Sequence, residues 1–204
     1  MTAEADELYS LLVPLVEERL IVPRACVAEV VRYSPPEQEA GAHNWMLGTV
    51  NWNGRALPVV SFEGTLGKDV PAATGRTRIV VFVASTGQLK TGYFGALTQG
   101  FPQLVRVNRE VLQLDSTAGW PKDAPVLCRV KMINEYPLIP DLERLEAMLA
   151  RESIQALPLF LRRHPSVTEQ SQWRRRPPFP SAVCVARWSR RRIRRRPHRH
   201  THAR

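Results

Sequence analysis

An Asn53–Gly54 pair between two apolar runs constrains this chain more than any other feature of its sequence. The run before it, residues 45–52, reads WMLGTVNW, and the run after it, residues 56–62, reads ALPVVSF. Asn-Gly favours a two-residue hairpin turn, because both residues readily take the positive φ that this turn demands. The sequence therefore predicts a β-hairpin here, with Gly48 and Gly54 serving backbone geometry. Since the segment holds no nucleophile beside a base and no metal-ligand spacing, it favours a binding scaffold over a catalytic site.

Short apolar runs separated by turns continue on both sides of this hairpin. The pattern predicts further strands over residues 8–16, 20–23, 27–33, 77–84, 92–98, 105–114, 126–133 and 136–140. Residues 92–98 and 105–114 are expected to pair with each other across a bend at residues 100–102. About ten short strands at this spacing are typical of an all-β sandwich or barrel.

A single helix is predicted after the last strand. Leu142, Leu145 and Leu149 fall on one face of a helix over residues 142–151, and Asp141 is placed to cap its N-terminus. Asp141 and Glu143 are not a catalytic carboxylate pair, because successive residues at a helix start point apart. Their negative charge instead suits the helix dipole.

The positive charge of the chain is confined to its C-terminal part. The whole chain carries a formal charge of +10, but residues 151–204 hold fifteen arginines, two acidic residues and no lysine. This tail therefore carries +13, and the first 150 residues carry −3. Its composition, rich in arginine and proline with no periodic apolar face, predicts a disordered segment or an out-of-frame translation. An arginine-rich run of this kind also has the composition for binding nucleic acid through phosphate contacts.

Neither the cysteines nor the N-terminus indicates a metal site or an exported protein. Cys26, Cys128 and Cys184 are scattered, without the spacing of a redox or zinc site, so we expect reduced thiols. Residues 1–7 are acidic, unlike the basic start of a signal peptide, and are expected to form an N-terminal arm. The apolar runs are too short to cross a bilayer, so we expect a cytoplasmic protein without membrane insertion.

The first 150 residues also lack the groups that most enzymes need. His43 is the only histidine before residue 164, and it lies in a polar stretch where an exposed, idle side chain is expected. The sequence therefore predicts no catalytic residue, no metal ligand and no cofactor.

Four segments in a fixed order resemble the CheW-like domain. The hairpin supplies the pattern G-x-V-N-x-x-G-x-x-x-P-V over residues 48–59, and residues 18–31 supply an opening strand, a proline and V-x-E. Residues 78–83 resemble the central strand of that family, and residues 138–145 resemble its closing L-x-x-D-L-x-x-L. The resemblance spans residues 8–150 and implies two five-stranded SH3-like β-barrels with a C-terminal helix.

This resemblance implies a function in signalling. CheW-like proteins are non-enzymatic adaptors that couple methyl-accepting chemoreceptors to a CheA-type histidine kinase in two-component systems for chemotaxis. The sequence at residues 24–26 and 51–54 is similar to that of the ChpC branch of the family, which serves type IV pilus (twitching) motility. The alternative is a non-enzymatic β-barrel protein whose arginine-rich tail binds nucleic acid.

The resemblance also implies where partners bind. In the family, a barrel edge packs on the kinase, and a groove between the barrels takes the helical tip of the receptor. The partner-binding residues expected here are Glu29, Asn51, Trp52, Asn53, Gly54, Arg55 and Pro58. For Trp52 the alternative is barrel packing, and for Glu29 it is a solvated strand position. Phe101 belongs either in the groove or inside the second barrel.

Two positions depart from the family pattern. Asn53 replaces the usual arginine, which pairs with the glutamate of V-x-E, and Ser61 replaces the usual aspartate. Because side chains two residues apart share a strand face, Arg55 is expected to reach Glu29 in place of the missing arginine. Such an exposed ion pair would contribute only about 0–1 kcal/mol to stability, so its role would be orientation and partner choice.

Overall fold

The structure is a computed structural model that describes residues 7–38, 42–117 and 119–155. Within residues 153–155 it describes only the backbone. Most of the predicted N-terminal arm, and the tail from residue 156 onwards with Cys184, lie outside the described residues. The predictions for those segments therefore remain predictions.

Strands dominate the described chain, and they begin and end close to the predicted bounds. The elements are β1 Leu8–Pro14, β2 Arg19–Pro23, a 3₁₀ helix Arg24–Cys26, β3 Val27–Arg32, β4 Met46–Trp52, β5 Arg55–Val60, α1 Phe62–Thr65, β6 Arg78–Val83, β7 Tyr93–Thr98, β8 Gln103–Val107, β9 Gln113–Asp115, β10 Val126–Lys131, β11 Leu138–Pro140 and α2 Leu142–Gln155. The all-β class with a C-terminal helix is thereby confirmed.

The strands form two sheets. The six-stranded sheet has the order β8-β1-β2-β11-β10-β9, and the five-stranded sheet has the order β3-β6-β7-β5-β4. Each sheet encloses an apolar cluster whose members come from that sheet and its connecting loops. A sheet can pack against itself only by curling, so each forms its own barrel-like unit. A third and larger cluster, which includes Phe62, Phe82 and Phe94, lies where the two sheets and α2 meet.

The predicted pairing of residues 92–98 with 105–114 is wrong. β7 pairs with β5 and β6, whereas β8 crosses to the other sheet and pairs with β1. Pro14 fixes this crossing, because its carbonyl oxygen accepts hydrogen bonds from Gln99 N at 2.9 Å and Thr98 Oγ1 at 2.7 Å.

The run 105–114 also divides into two strands. The Asn108 side chain accepts hydrogen bonds from the backbone of Glu110 at 3.0 Å and Val111 at 2.9 Å. This local bond turns the chain and separates β8 from β9. The first sheet consequently has six strands where the resemblance implied five.

The predicted helix cap is confirmed. The Asp141 side chain accepts a hydrogen bond from Arg144 N at 2.9 Å, in the geometry of an N-cap. Leu145 and Leu149 are fully buried against the central cluster, and Leu142 packs beside them. α2 runs one turn beyond the predicted end, to Gln155. No helix within the described residues has the length and apolar character needed to span a membrane.

Gly48 protects an edge of the five-stranded sheet. It has φ +115, and a Cβ atom placed on it would overlap the carbonyl oxygen of Glu37. Glu37 and Thr49 exchange two backbone hydrogen bonds of 2.8 and 2.9 Å beside it. The glycine thus lets the segment after β3 cover part of the β4 edge, which would otherwise be open to pairing with another chain.

Candidate functional site

The turn between β4 and β5 has the predicted geometry. Asn53 and Gly54 have φ values of 52° and 74°, and Trp52 pairs with Arg55 across the turn. Asn51 Oδ1 accepts a hydrogen bond from Gly54 N at 3.1 Å, which holds the turn from the preceding strand. The hairpin prediction is confirmed, and the turn presents Asn51, Asn53 and Gly54 to solvent.

Trp52 connects this hairpin to β3. Its indole Nε1 donates a hydrogen bond to Glu29 Oε2 at 2.8 Å, and its ring meets the Tyr93 ring edge-on at a centroid distance of 4.9 Å. Trp52 and Tyr93 both pack against the apolar cluster inside the five-stranded sheet. Trp52 is therefore half-buried at the mouth of this barrel, and it closes the gap between the edge strands β3 and β4.

The expected ion pair between Arg55 and Glu29 does not form. Arg55 Nη1 approaches the Thr91 carbonyl oxygen at 3.5 Å, and the guanidinium lies over the Tyr93 ring at 5.7 Å. The strand order explains this. β5 adjoins β7, whereas β4 is the edge strand that faces the other edge strand, β3, where the barrel closes. Trp52 occupies the position next to Glu29, so Arg55 turns towards the start of β7.

Pro58 differs from the other predicted site residues in being buried. It lies within β5 opposite Thr49, among residues that are closed to solvent. It is therefore buried within the hairpin, whereas the other predicted site residues reach the surface. We refer to the exposed group as the hairpin-end surface: Glu29, Asn51, Trp52, Asn53, Gly54, Arg55 and Tyr93.

Two residues at this mouth were missed by the sequence analysis. Tyr93 contacts both Trp52 and Arg55, and Val83, which is 40% exposed, lies directly opposite Tyr93 in the β6–β7 pairing. An aromatic residue directly after Gly92, at the start of a strand, was the available signal. It could not be used because the neighbours of β7 were not known.

Ser61 performs a role that explains its position. It is fully buried, and its Oγ accepts a hydrogen bond from Gly64 N at 3.2 Å as the N-cap of α1. Aspartate and serine are both favourable N-caps, so serine keeps the cap without the charge. The Ser61 hydroxyl also lies 3.0 Å from Glu63 Oε2, and Glu63 is itself buried. Glu63 thus supplies a buried carboxylate next to position 61, where the family pattern has an aspartate.

Phe101 is neither buried nor isolated. It is 65% exposed, and the Arg78 guanidinium lies over its ring at 4.6 Å, so burial in the six-stranded barrel is wrong. Leu104 and Tyr9 are 60% and 53% exposed and share one face of the β1–β8 pair. These four residues are called the Phe101 surface below. It lies where the chain crosses from one sheet to the other.

His43 is exposed, as expected, but its side chain makes specific contacts. Its Nδ1 lies 2.6 Å from Glu152 Oε1, and its ring stacks on Trp45 at 6.2 Å. The contact joins the loop before β4 to the last turns of α2. Trp45 packs against the central cluster and so contributes to the core.

Side chains that ligate metals do not cluster in the described part of the chain. Among residues 7–38, 42–117 and 119–155, no three His, Cys, Asp or Glu side chains are arranged to hold a metal ion. Cys26 is buried, and burial raises the pKa of the half-buried Cys128 thiol. A raised pKa leaves less thiolate at neutral pH and hence a less reactive side chain.

Comparisons with known proteins agree with the sequence motifs. The family model for the CheW-like domain matches residues 10–146, which is more than half of the chain. Among solved structures, the scaffolding protein TtCheW from Thermoanaerobacter tengcongensis has the same fold, with a TM-score of 0.57 at 14% sequence identity. That match covers 69% of this chain and 88% of TtCheW. No curated protein sequence matches the chain. The fold and the family match together show that the chain belongs to the CheW-like domain family.

Proposed function

We propose that this protein is a non-enzymatic adaptor of a chemotaxis-type pathway that links chemoreceptors to a CheA-type histidine kinase. The match of residues 10–146 to the CheW-like domain carries this proposal. An adaptor must bind two partners at once, and we assign one exposed surface of the described chain to each partner.

The hairpin-end surface is proposed as the receptor-binding site. Trp52 and Tyr93 provide a half-buried aromatic pair, and Glu29 and Arg55 place opposite charges at its rim. Aromatic anchors within a polar, charged rim are the usual composition of a protein-binding hot spot. Because the rim charges are exposed, they contribute mainly to the association rate and to partner choice.

The Phe101 surface is proposed as the kinase-binding site, which departs from the resemblance, since that places the receptor in the groove between the barrels where Phe101 was expected. Phe101, Leu104 and Tyr9 are apolar side chains that a folded protein does not need to expose for its own stability. Arg78 and Arg32 pair on the adjoining strands β6 and β3, which adds positive charge near Phe101. This combination fits an apolar partner surface with acidic residues at its edge.

Selective variants test this division. Arg55→Glu is expected to weaken receptor binding and to spare kinase binding, whereas Phe101→Ala should do the reverse. The exposed Lys122→Glu provides a matched control, because it reverses a charge outside both surfaces. Binding of the purified full chain to kinase and to receptor would be measured by calorimetry. If both variants bind both partners as the wild type does, the proposed surfaces are wrong.

A link to type IV pilus motility is proposed from the ChpC-like sequence at residues 24–26 and 51–54. Deleting the gene should then reduce twitching, and complementation with residues 1–155 should restore it. Swimming defects with normal twitching would contradict the pilus assignment while leaving the adaptor role intact. A salt-sensitive DNA shift that requires residues 156–204 would instead support nucleic-acid binding by the tail.

A further inference from the structure

The loop between β6 and β7, residues 84–92, is closed by its own backbone. Ala84 N donates to the Gly92 carbonyl oxygen at 2.9 Å, and Gly92 N donates to that of Leu89 at 3.0 Å. Leu89 is buried in the central cluster. These contacts fix the base of the loop and one side chain, but they leave its tip, residues 85–88, to be held by something else.

Glu146 of α2 holds this tip. Its Oε2 accepts a hydrogen bond from Thr86 N at 2.9 Å, and its Oε1 accepts one from Gln88 N at 3.0 Å. Glu146 is 1% exposed, so the acceptor of both bonds is buried, whereas the donor residues Thr86 and Gln88 lie at the surface. Gly87, between the two donors, has φ +75, which turns both N–H groups towards the same carboxylate.

The position of Glu146 is unusual for a charged residue. It lies four residues after Leu142, on the same helix face as Leu145 and Leu149, which are buried in the core. A carboxylate at such a place is costly unless hydrogen bonds compensate its burial. The backbone of a distant loop supplies that compensation, across 60 and 58 positions of the sequence.

The other end of the same loop borders the hairpin-end surface. The Thr91 carbonyl oxygen lies 3.5 Å from Arg55 Nη1, and the Thr91 hydroxyl donates to the Tyr93 carbonyl oxygen at 2.6 Å. Tyr93 in turn contacts Trp52. A continuous series of contacts therefore runs from α2 through the loop to the aromatic pair.

We propose that Glu146 is a positioning residue, which sets the hairpin-end surface by fixing residues 85–91 against α2. The proposal that this positioning governs receptor affinity rests on the function proposed above. The positioning itself does not, since it is a property of the unbound protein. A helix-docking role alone would leave Trp52 and Tyr93 undisturbed when the carboxylate is neutralised.

Glu146→Gln tests the inference in the full chain, because glutamine keeps the shape of the side chain but replaces one acceptor oxygen with a donor. Glu143→Gln, one turn earlier and exposed on the same helix, is the matched control. NMR amide exchange would be followed at Thr86 and Gln88, together with the Trp52 indole resonance, which Trp52→Phe assigns. We expect faster exchange and a displaced indole resonance in Glu146→Gln, and neither change in Glu143→Gln.

Receptor affinity provides the second readout. We expect Glu146→Gln to weaken binding by about 2- to 30-fold, the range for residues that act on a site through others. Faster exchange at Thr86 and Gln88 with an unchanged Trp52 resonance would overturn the positioning. A displaced resonance with unchanged affinity would keep the positioning and reject the receptor site.

A loop-side variant covers the case in which Glu146→Gln fails to fold. Gly87→Ala leaves the carboxylate in place but strains the turn that points both N–H groups at it. It should displace the same Trp52 resonance. An unmoved resonance in a folded Gly87→Ala protein with fast exchange at Thr86 and Gln88 would also overturn the inference.

Discussion

The indole of Trp52 donates a 2.8 Å hydrogen bond to the carboxylate of Glu29, and this bond joins the two edge strands of the five-stranded sheet. In the family pattern that glutamate pairs with an arginine, whose position is taken here by Asn53. A neutral donor with a large apolar ring thus replaces a cation. The closure consequently depends on packing and one directed hydrogen bond rather than on an ion pair.

Glu29→Ala is expected to lower the free energy of unfolding by about 1 kcal/mol, because it removes the charged acceptor of one exposed hydrogen bond. Glu29→Gln keeps an acceptor oxygen and should stay within about 0.5 kcal/mol of the wild type. Urea denaturation measures both. Equal losses for the two variants would show that the charge, and not the hydrogen bond, is what stabilises the closure.

Restoring the aspartate of the family at position 61 should destabilise this protein. Ser61→Asp would place a second buried carboxylate beside that of Glu63, at a site where Ser61 Oγ now lies 3.0 Å from Glu63 Oε2. We expect a loss of about 2–4 kcal/mol, because two buried like charges repel and neither has a cation.

The same substitution made in a Glu63→Gln background should cost less than about 1 kcal/mol, since the glutamine amide can donate to the new carboxylate. A thermodynamic cycle of the four proteins isolates the coupling. Additive effects would mean that residues 61 and 63 do not substitute for each other.

Gly48→Ala is expected to lower stability by at least about 2 kcal/mol, because φ +115 is strained for alanine and the methyl group would overlap the Glu37 carbonyl. Gly75→Ala is the control, since its Cβ would meet no atom within 4 Å and its φ is not in the positive range. Thermal unfolding, with light scattering for edge-to-edge association, measures both consequences. Similar melting temperatures for the two variants would contradict the role of Gly48.

Asp115 is expected to make stability depend on acid pH. Hydrogen bonds from Thr117, and then the Arg129 guanidinium, lower the pKa of Asp115 from 3.8 to about 2. A folded-state pKa below the unfolded one stabilises the protein above about pH 4, and this contribution disappears as the pH falls through about 2. Between pH 5 and pH 2 the wild type should therefore lose more stability than Asp115→Asn. Parallel pH profiles from urea denaturation would contradict the shift.

The hairpin and the capped helix could be predicted from sequence because their causes are local. Asn53 and Gly54 determine their turn by their own φ preferences, and Asp141 bonds a backbone group three residues away. The CheW-like motifs extended this local information to the whole fold. The partner of β7 was predicted wrongly, since the Pro14 carbonyl that redirects the chain lies more than 80 residues earlier.

The sequence brought Glu29, Trp52 and Arg55 to one end of the five-stranded barrel, but it did not predict their contacts. Because side chains two residues apart share a strand face, Arg55 was correctly expected at the barrel mouth, where Glu29 also lies. The side chain that meets Glu29 depends on which strands are neighbours. The order β3-β6-β7-β5-β4 places Trp52 rather than Arg55 beside Glu29. Tyr93 and Glu146 were missed for the same reason, because their partners are defined by tertiary contacts far along the chain.

The division of strands between the two sheets also determines which sheet can be completed first during synthesis. β1 and β2 belong to the six-stranded sheet, but the chain then builds all of β3–β7 before it returns to that sheet with β8–β11. On the ribosome, the five-stranded unit is complete at Thr98, whereas the first hairpin must wait for Pro140 before its sheet is whole. Until β8 is made, both outer edges of the β1–β2 hairpin lack their partner strands, and the edge of β2 lacks its partner until β11 follows.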